Sequence, residues 1–200
     1  LAYMAFNNDD YLQAINYINK EIEKNPWNFA VLNMASQIHL LNFHKLSTEK
    51  GYETAIHELV KSNQYLEKAI EIGRSYPTNY TSRCSNAGVE VQLKRFFGFG
   101  RDMLEIFESG MKYCQQALIM KPKAYSPWAN MSYLFTNYAR YLEKDKDSIN
   151  TEKLIEIYQQ SIQNADKGLK IHANNEAMIN SKVQPYLSLA KYNKTDYLLA

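Results

Sequence analysis

Few residues of this sequence could carry out chemistry, and they form no recognised catalytic or metal-binding arrangement. His57 and Glu58 begin a His-Glu-x-x-Lys run, which differs at its last residue from the H-E-x-x-H pattern of zinc-binding helices. Lys61 stands where the second histidine would be, and a protonated lysine does not bind a metal ion. His39 and His44 are five residues apart, which places them on different faces of a helix. We therefore expect no metal site, no cofactor and no catalytic residues.

A glycine- and aromatic-rich segment, KRFFGFG at residues 94–100, is the one stretch that resembles a nucleic-acid or phosphate motif. Its register differs from that of the aromatic RNA-binding strand, and it ends an amphipathic helical pattern. It also lacks the third glycine and the preceding strand of a dinucleotide loop. The net charge of +2, from 23 basic and 21 acidic residues, gives no electrostatic argument for nucleic acid. We expect aromatic packing beside a glycine hinge, and no nucleic-acid partner.

The two cysteines, Cys84 and Cys114, lie at apolar positions of helical patterns. A buried free cysteine behaves as a small hydrophobic residue, and two cysteines do not make a disulfide framework. A reducing compartment, the cytoplasm, is therefore expected. The longest apolar runs are shorter than the roughly 20 residues that a membrane span needs, so no membrane insertion is expected.

The elements that would position these residues are helices, because small and apolar residues recur with the spacing of one helix face. Residues 14–26 and 110–122 each place a small residue, an apolar residue four positions later, and a proline at the end. After each stop, residues 31–38, 84–91 and 128–135 repeat a second pattern of large residues that includes a small one. Small residues let two helices approach closely. The patterns therefore predict antiparallel helix pairs in close contact at their small residues.

The two patterns together resemble the tetratricopeptide (TPR) repeat, W-x2-L-G-x2-Y, then A-x3-F, then P. The stretch LAYMAFNNDDYLQAI matches closely, and Trp128 opens a first helix as in the family, where we expect it to be buried. Ala35, Gly88, Ser132 and Ser181 stand farther apart than the family's period of roughly 34 residues. The resemblance implies an all-α fold, a TPR-like α-solenoid of antiparallel helix pairs with extended helices and a right-handed superhelix.

We expect a single repeat domain over residues 1–200. Its approximate units are 1–26, 27–77, 78–122 and 123–173, followed by a C-terminal helix at 174–200. Helices are expected near residues 1–6, 9–24, 28–44, 52–75, 80–97, 101–120, 124–142, 151–171 and 175–193. Pro185 should kink or shorten the last of them. The sequence begins inside a predicted helix, so we expect it to be a fragment of a longer protein.

Residues 100–122 carry a second resemblance. They are similar to the G-R-D-P…A-L-A-L-x-P units in regions that follow some bacterial serine/threonine kinase domains. The matching residues are Gly100-Arg101-Asp102, Ala117-Leu118 and Pro122, whereas Met103 replaces the proline of the family. This similarity implies a regulatory appendage of a bacterial protein kinase whose catalytic domain lies outside this sequence.

In TPR stacks the first helix of each pair lines a concave groove, so the TPR resemblance implies a set of binding residues. They are Tyr3, Phe6, Ser36, His39, Val89, Gln92, Tyr133, Thr136 and Asn137. This surface is aromatic and polar but nearly uncharged. The positions that match the cations of carboxylate-binding TPR domains are Ser82, Asn86, Ser126 and Asn130. We therefore expect a non-enzymatic scaffold that binds an uncharged or apolar peptide or helix of a protein partner, and no acidic tail.

Overall fold

The computed structural model describes residue 5 and residues 10–98, 100–144 and 150–192, without the side chain of Ala177. Of these described residues, 84% are helical and none lies in a strand, which confirms the predicted all-α class. The described helices are α1 Tyr11–Lys24, α2 Phe29–Lys50, α3 Tyr52–Ile72, α4 Pro77–Phe97, α5 Met103–Met120, α6 Ser126–Leu142, α7 Thr151–Ile171 and α8 Glu176–Leu189.

Five of these helices begin directly after an aspartate or asparagine whose side chain accepts a hydrogen bond from a backbone N–H of the first turn. The five N-cap residues are Asp10, Asn28, Asp102, Asn150 and Asn175. A free N–H at a helix start needs such an acceptor, and side chains of this kind stabilise a helix by about 1 kcal/mol. The start of each of these five helices is therefore encoded locally.

The residues beyond the TPR period lengthen helices. The sequence predicts that α2 ends at residue 44 and that a loop follows, but α2 continues to Lys50. Only Gly51 separates it from α3, with φ at +86°, a backbone conformation that favours glycine. Pro185 lies inside α8, and that helix ends at Leu189 instead of the predicted residue 193.

Backbone proximity groups the chain into two compact units, Leu1–Asn86 and Ala87–Ala200, which we call the N-terminal and the C-terminal unit. Helix α4 contributes residues to both. The expectation of a single repeat domain stays a prediction.

In the N-terminal unit, α1 packs on α2, and α2 packs on α3. Helices α2 and α3 meet at Ser36 and Ser62, whose hydroxyl oxygens are 2.8 Å apart. The Ser62 hydroxyl also donates to the backbone carbonyl of Ser36 at 2.9 Å. Asn86 of α4 donates to the Ser62 hydroxyl, so one serine links three helices. The buried apolar residues around α1 and α2 include Ala14, Ile18, Ala35 and Ile38.

In the C-terminal unit, α6 packs on α5 and α7, and α8 packs on α7 and α6. The pair α6 and α7 repeats the serine contact, since Ser161 donates to the backbone carbonyl of Ser132 at 2.8 Å. Its hydroxyl also lies 2.7 Å from that of Thr136. The apolar core beside this contact is formed by Ala139, Leu154, Ile157, Tyr158, Ile162 and Leu189.

The small residues lie at close helix contacts, as the repeat pattern predicts. Ala14, Ala35 and Ala117 are buried, and a Cβ built on Gly110 would meet the Cβ of Ala87 at 2.7 Å. Trp128, which the sequence predicts to be buried, is only partly buried. The ammonium of Lys167 lies 4.9 Å from the centroid of its ring.

Neither cysteine is a free thiol. Cys84 and Cys114 are fully buried, and both are disulfide-bonded. The sequence-based expectation of free cysteines is wrong because disulfide formation depends on Cβ geometry, which the spacing along a chain does not give. The argument for a reducing compartment loses its basis. No helix within the described ranges has the length and apolar character to cross a bilayer.

We predict that Gly110→Ala lowers the free energy of unfolding by about 1–3 kcal/mol, because the new methyl group overpacks the contact. It would lie 2.7 Å from the Cβ of Ala87 and 3.0 Å from the Cδ1 of Leu134. Urea denaturation measures the change. Gly88→Ala is the control, since its nearest neighbour would be the Tyr133 ring at the longer distance of 3.2 Å, and it should cost less. A Gly110→Ala variant as stable as the wild type would contradict this packing.

We also predict that Ser161→Ala lowers the free energy of unfolding by about 1–3 kcal/mol, because it leaves buried polar groups of Ser132 and Thr136 without a partner. Thermal denaturation with far-ultraviolet circular dichroism measures the loss. Gln163→Ala, at an exposed position of the same helix, is the control and should change little. Equal effects of the two substitutions would show that the serine contact does not hold α6 on α7.

Candidate functional site

The predicted groove residues separate into three groups. Tyr3 and Phe6 lie outside the described residues. In the N-terminal unit, Ser36 and His39 are 1% and 2% exposed, because both face α3. A ligand at the surface therefore cannot contact these two side chains directly.

His39 belongs to a buried charged cluster between α2 and α3. Its Nδ1 lies 2.6 Å from one carboxylate oxygen of Glu58. The other Glu58 oxygen contacts the Nε2 of His57 at 2.8 Å and the Lys61 ammonium at 3.6 Å. The ring of Tyr65 stacks on His39, with centroids 5.3 Å apart. In the zinc-like run of the sequence, His57 and Lys61 thus both contact the carboxylate of Glu58, and the same carboxylate is hydrogen-bonded to His39.

The electrostatics of this cluster favour a neutral His39 and an ionised Glu58. Burial lowers the pKa of His39 below 6.5 and outweighs the raising effect of Glu58. Burial alone would raise the pKa of Glu58, but hydrogen bonds from His39 and Asn42 and the charge of Lys61 hold it below 4.5. The neutral imidazole then donates from Nδ1 to the carboxylate. Within the described ranges, no three His, Cys, Asp or Glu side chains are grouped as metal ligands.

In the C-terminal unit, four of the predicted residues lie together. Gln92, Tyr133, Thr136 and Asn137 line one cleft of about 460 Å³. Val89 lies on α4 one turn before Gln92, partly buried and outside the lining of the cleft. The remaining lining residues are Arg95, Phe96, Arg140, Asn180, Ser181 and Gln184. We call this site the arginine cleft.

Three helices supply the lining at helical spacing. Positions 92, 95 and 96 of α4, positions 133, 136, 137 and 140 of α6, and positions 180, 181 and 184 of α8 each follow one face over one or two turns. Hydrogen bonds fix this arrangement. The Tyr133 hydroxyl donates to the Gln92 side chain at 3.1 Å, and the Asn137 amide donates to the Tyr133 carbonyl at 2.9 Å.

Two guanidinium groups give the cleft its charge. Arg95 donates from Nη1 to the Asn137 side-chain oxygen at 2.7 Å, and its Cζ lies 3.9 Å from the ring centroid of Phe96. Arg140 donates from Nη2 to the Gln184 side-chain oxygen at 2.6 Å. Among the described residues, no carboxylate lies within the 4.0 Å of a salt bridge to either group.

The two arginines also act on each other. Burial lowers the pKa of Arg95, and the positive charge of Arg140 lowers it further, against weaker opposing effects that include the charge of Glu143. The expectation of a nearly uncharged surface is therefore wrong for this cleft. The two arginines lie one helical turn beyond the predicted groove residues, since Arg95 follows Gln92 by three positions and Arg140 follows Asn137 by three. Extending the helical period by one turn on each helix would have found both.

The Gly-Arg-Asp segment has local structural roles. Gly100 has φ at +92°, and Asp102 caps α5. The Arg101 guanidinium contacts the carboxylates of Glu90 and Glu105, each at 2.9 Å.

The aromatic packing expected at residues 96 and 97 is found only in part: the two rings contact each other, with centroids 6.2 Å apart, but they remain at the surface. Phe96 and Phe97 are 54% and 46% exposed. Phe96 instead forms part of the cleft wall, since α4 continues to Phe97 and turns this ring toward Arg95.

We predict that the free energy of unfolding falls between about pH 7 and about pH 5. The pKa of His39 in the folded protein lies below 6.5, so the unfolded chain takes up a proton first and the fold loses stability below pH 6.5. The pKa of Glu58 also lies below its ordinary 4.5, so its contribution is present above pH 4.5 and disappears as the pH falls through the folded-state value. Urea denaturation at a series of pH values measures both.

His39→Gln should reduce the decrease in the free energy of unfolding that begins near pH 6.5 as the pH is lowered. The control is His44→Gln, because the pKa of His44 is also lowered by burial although the side chain lies at an exposed position. Its substitution should have the smaller effect. A wild-type stability that does not change over this range, or a larger flattening by His44→Gln, would contradict the assignment.

Comparison with known proteins supports the fold. No protein-family model and no curated protein matches the chain. Among solved structures the chain is similar to one titled "Crystal structure of MamA", a TPR-like helical protein. The TM-score is 0.52 at 11% sequence identity, and the similarity covers 98% of each chain. At this identity the similarity is evidence of fold alone, and it gives the chain a TPR-like, all-α helical-repeat fold.

Proposed function

We propose that this protein is a protein-interaction scaffold that binds a peptide segment of a partner protein in the arginine cleft. The observation that carries the proposal is the cleft itself, about 460 Å³ in volume and lined from three helices. Ligand pockets of roughly 300–1,000 Å³ hold small ligands, so this one suits two or three side chains of a peptide. TPR-like repeat stacks present such surfaces to peptides and helices.

The composition of the cleft matches that of protein interfaces. Tyr, Phe and Arg are enriched where binding energy concentrates, and the cleft contains Tyr133, Phe96 and two arginines. Its amide side chains, such as Asn180 and Gln184, offer both donors and acceptors, which are the groups that a peptide backbone needs. These features support a peptide ligand and a protein partner.

The lining also supports a non-enzymatic role. Among the described residues that line the cleft there is no His, Cys, Asp, Glu or Lys, which are the usual nucleophiles and general acids or bases. The hydroxyls of Tyr133 and Thr136 are already engaged in hydrogen bonds with Gln92 and Ser161. A binding cleft is therefore the simpler interpretation.

The kinase-appendage role is a further hypothesis that rests on the sequence similarity of residues 100–122. Gly100, Arg101 and Asp102 set the start of α5. This local role does not depend on a neighbouring domain, so it is compatible with the kinase-appendage hypothesis. H-R-D and D-F-G motifs in the full reading frame would support the hypothesis, and a full-length frame without them would remove it.

We predict that Tyr133→Ala with Gln92→Ala weakens peptide capture by about tenfold or more, since both a ring contact and a hydrogen-bonding group are lost. The measurement is selection from a random peptide library, followed by fluorescence anisotropy with the best binder. Tyr141→Ala with Gln115→Ala is the matched control, because neither residue lines the cleft. Equal capture by the cleft variant and the wild type would place binding elsewhere and contradict the proposal.

A further inference from the structure

We propose that the arginine cleft recognises an anionic peptide, and that Arg95 and Arg140 together hold a carboxylate of the ligand. This inference rests on the proposed function and goes beyond it by naming the chemistry that the cleft selects. It also reverses the expectation from sequence that the bound peptide is uncharged. The carboxylate can belong to an Asp or Glu side chain or to a C-terminus.

The other arginines of the described chain show what is unusual here. Arg83 is 4% exposed and contacts the Glu67 carboxylate at 2.8 Å. Arg101 is partly exposed and contacts two carboxylates. Arg95 and Arg140 are partly buried as well, but the contacts that they make are to neutral amide oxygens. In this chain, then, partly buried guanidiniums are neutralised by acids except at the cleft.

The donors of the two groups are mostly uncommitted. A guanidinium carries five N–H donors in a planar fork that matches the two oxygens of a carboxylate. Arg95 and Arg140 each donate one hydrogen bond to a side chain, to Asn137 and Gln184. Those two amides hold the guanidiniums in place without neutralising them. The forks are therefore positioned in advance for an oxyanion, which lowers the entropic cost of binding.

The electrostatics favour the same ligand. The positive charge of Arg140 lowers the pKa of Arg95, and an anion bound between the two groups would offset this repulsion. The neighbouring carboxylate of Glu143 accepts a hydrogen bond from the Tyr192 hydroxyl at 2.7 Å. Lys144 adds a third cation beside Arg95, since its ammonium donates a hydrogen bond to the Arg95 backbone carbonyl. A bound carboxylate would make charge-assisted hydrogen bonds, which are stronger than neutral ones.

The site differs in position from the carboxylate-binding positions of TPR domains. Those positions here are Ser82 and Asn86 on α4 and Ser126 and Asn130 near the start of α6, whereas Arg140 lies at the end of α6. The amides of α8 complete the cleft on the far side. The inference therefore follows from the side chains that this structure brings together.

The test is an NMR titration of the full chain with four short probes: Ac-Tyr-Glu-Tyr-NH2, Ac-Tyr-Gln-Tyr-NH2, Ac-Tyr-Gln-Tyr with a free C-terminus, and Ac-Tyr-pSer-Tyr-NH2. The readouts are the Nε–H resonances of the arginines and the dissociation constant of each probe. The acidic probes should shift Arg95 and Arg140 and bind about tenfold or more tightly than the neutral amide, with the advantage reduced at high salt. The Glu and C-terminal probes show which source of carboxylate the cleft prefers.

Arg95→Gln and Arg140→Gln should each remove most of that advantage while the neutral probe binds as before. Their melting temperatures should equal or exceed that of the wild type, since a repulsion is removed. Arg74→Gln, at an exposed position of the N-terminal unit, removes the same charge and should leave the preference intact.

Four results would overturn the inference. Equal binding of acidic and neutral probes at the cleft would leave a peptide site without anion recognition, and the proposed function would stand. If both arginine variants still bound the acidic probes more tightly than the neutral amide, other residues would recognise the carboxylate. Binding of Ac-Tyr-pSer-Tyr-NH2 far more tightly than the Glu probe would replace carboxylate by phosphate. Failure of every probe to shift any cleft resonance would contradict the proposed function as well.

Discussion

A buried hydroxyl contact between paired helices is the constraint on which each unit depends. Ser62 donates to the backbone carbonyl of Ser36 in the N-terminal unit, and Ser161 donates to that of Ser132 in the C-terminal unit. A side-chain hydroxyl can reach the backbone of another helix only when the axes are close, so small residues are required on both sides. Because the carbonyl is buried, a slip of one residue would leave polar groups without partners, which makes the register costly to change.

This register decides which side chains of α6 face outward. Ser132 and Thr136 point to α7, and the neighbouring face then presents Tyr133 and Arg140 to the cleft. Arg140 lies two turns from Ser132, so its position is fixed by the same contact. The charged cleft is thus a consequence of how one helix pair packs, and the two guanidiniums are brought together by secondary structures that are stable for other reasons.

Local signals in the sequence account for most of the fold. Helix starts follow capping side chains such as Asp10 and Asn150, and helix contacts follow the periodic small residues. The length of α2 was underestimated because Gly51 alone makes a sharp connection, and one glycine is a weak signal for a turn between two long helices. Helix existence therefore follows from short-range chemistry, whereas the lengths depend on packing.

The candidate site was predictable only in part. Gln92, Tyr133, Thr136 and Asn137 follow from helical periodicity and the TPR resemblance, and they do lie together. His39 was misplaced because its face of α2 is covered by α3, whose acidic Glu58 holds it. Which partner covers a polar residue depends on long-range packing, and periodicity along one helix does not contain it.

Hydrogen–deuterium exchange with and without a captured peptide tests the central claim most directly, that α4, α6 and α8 together form the binding surface. The account predicts slower exchange in three segments on binding, near residues 92–97, 133–140 and 180–187, with α1, α2 and α3 unchanged. Protection confined to α1–α3, or to α5 and α7 alone, would contradict it.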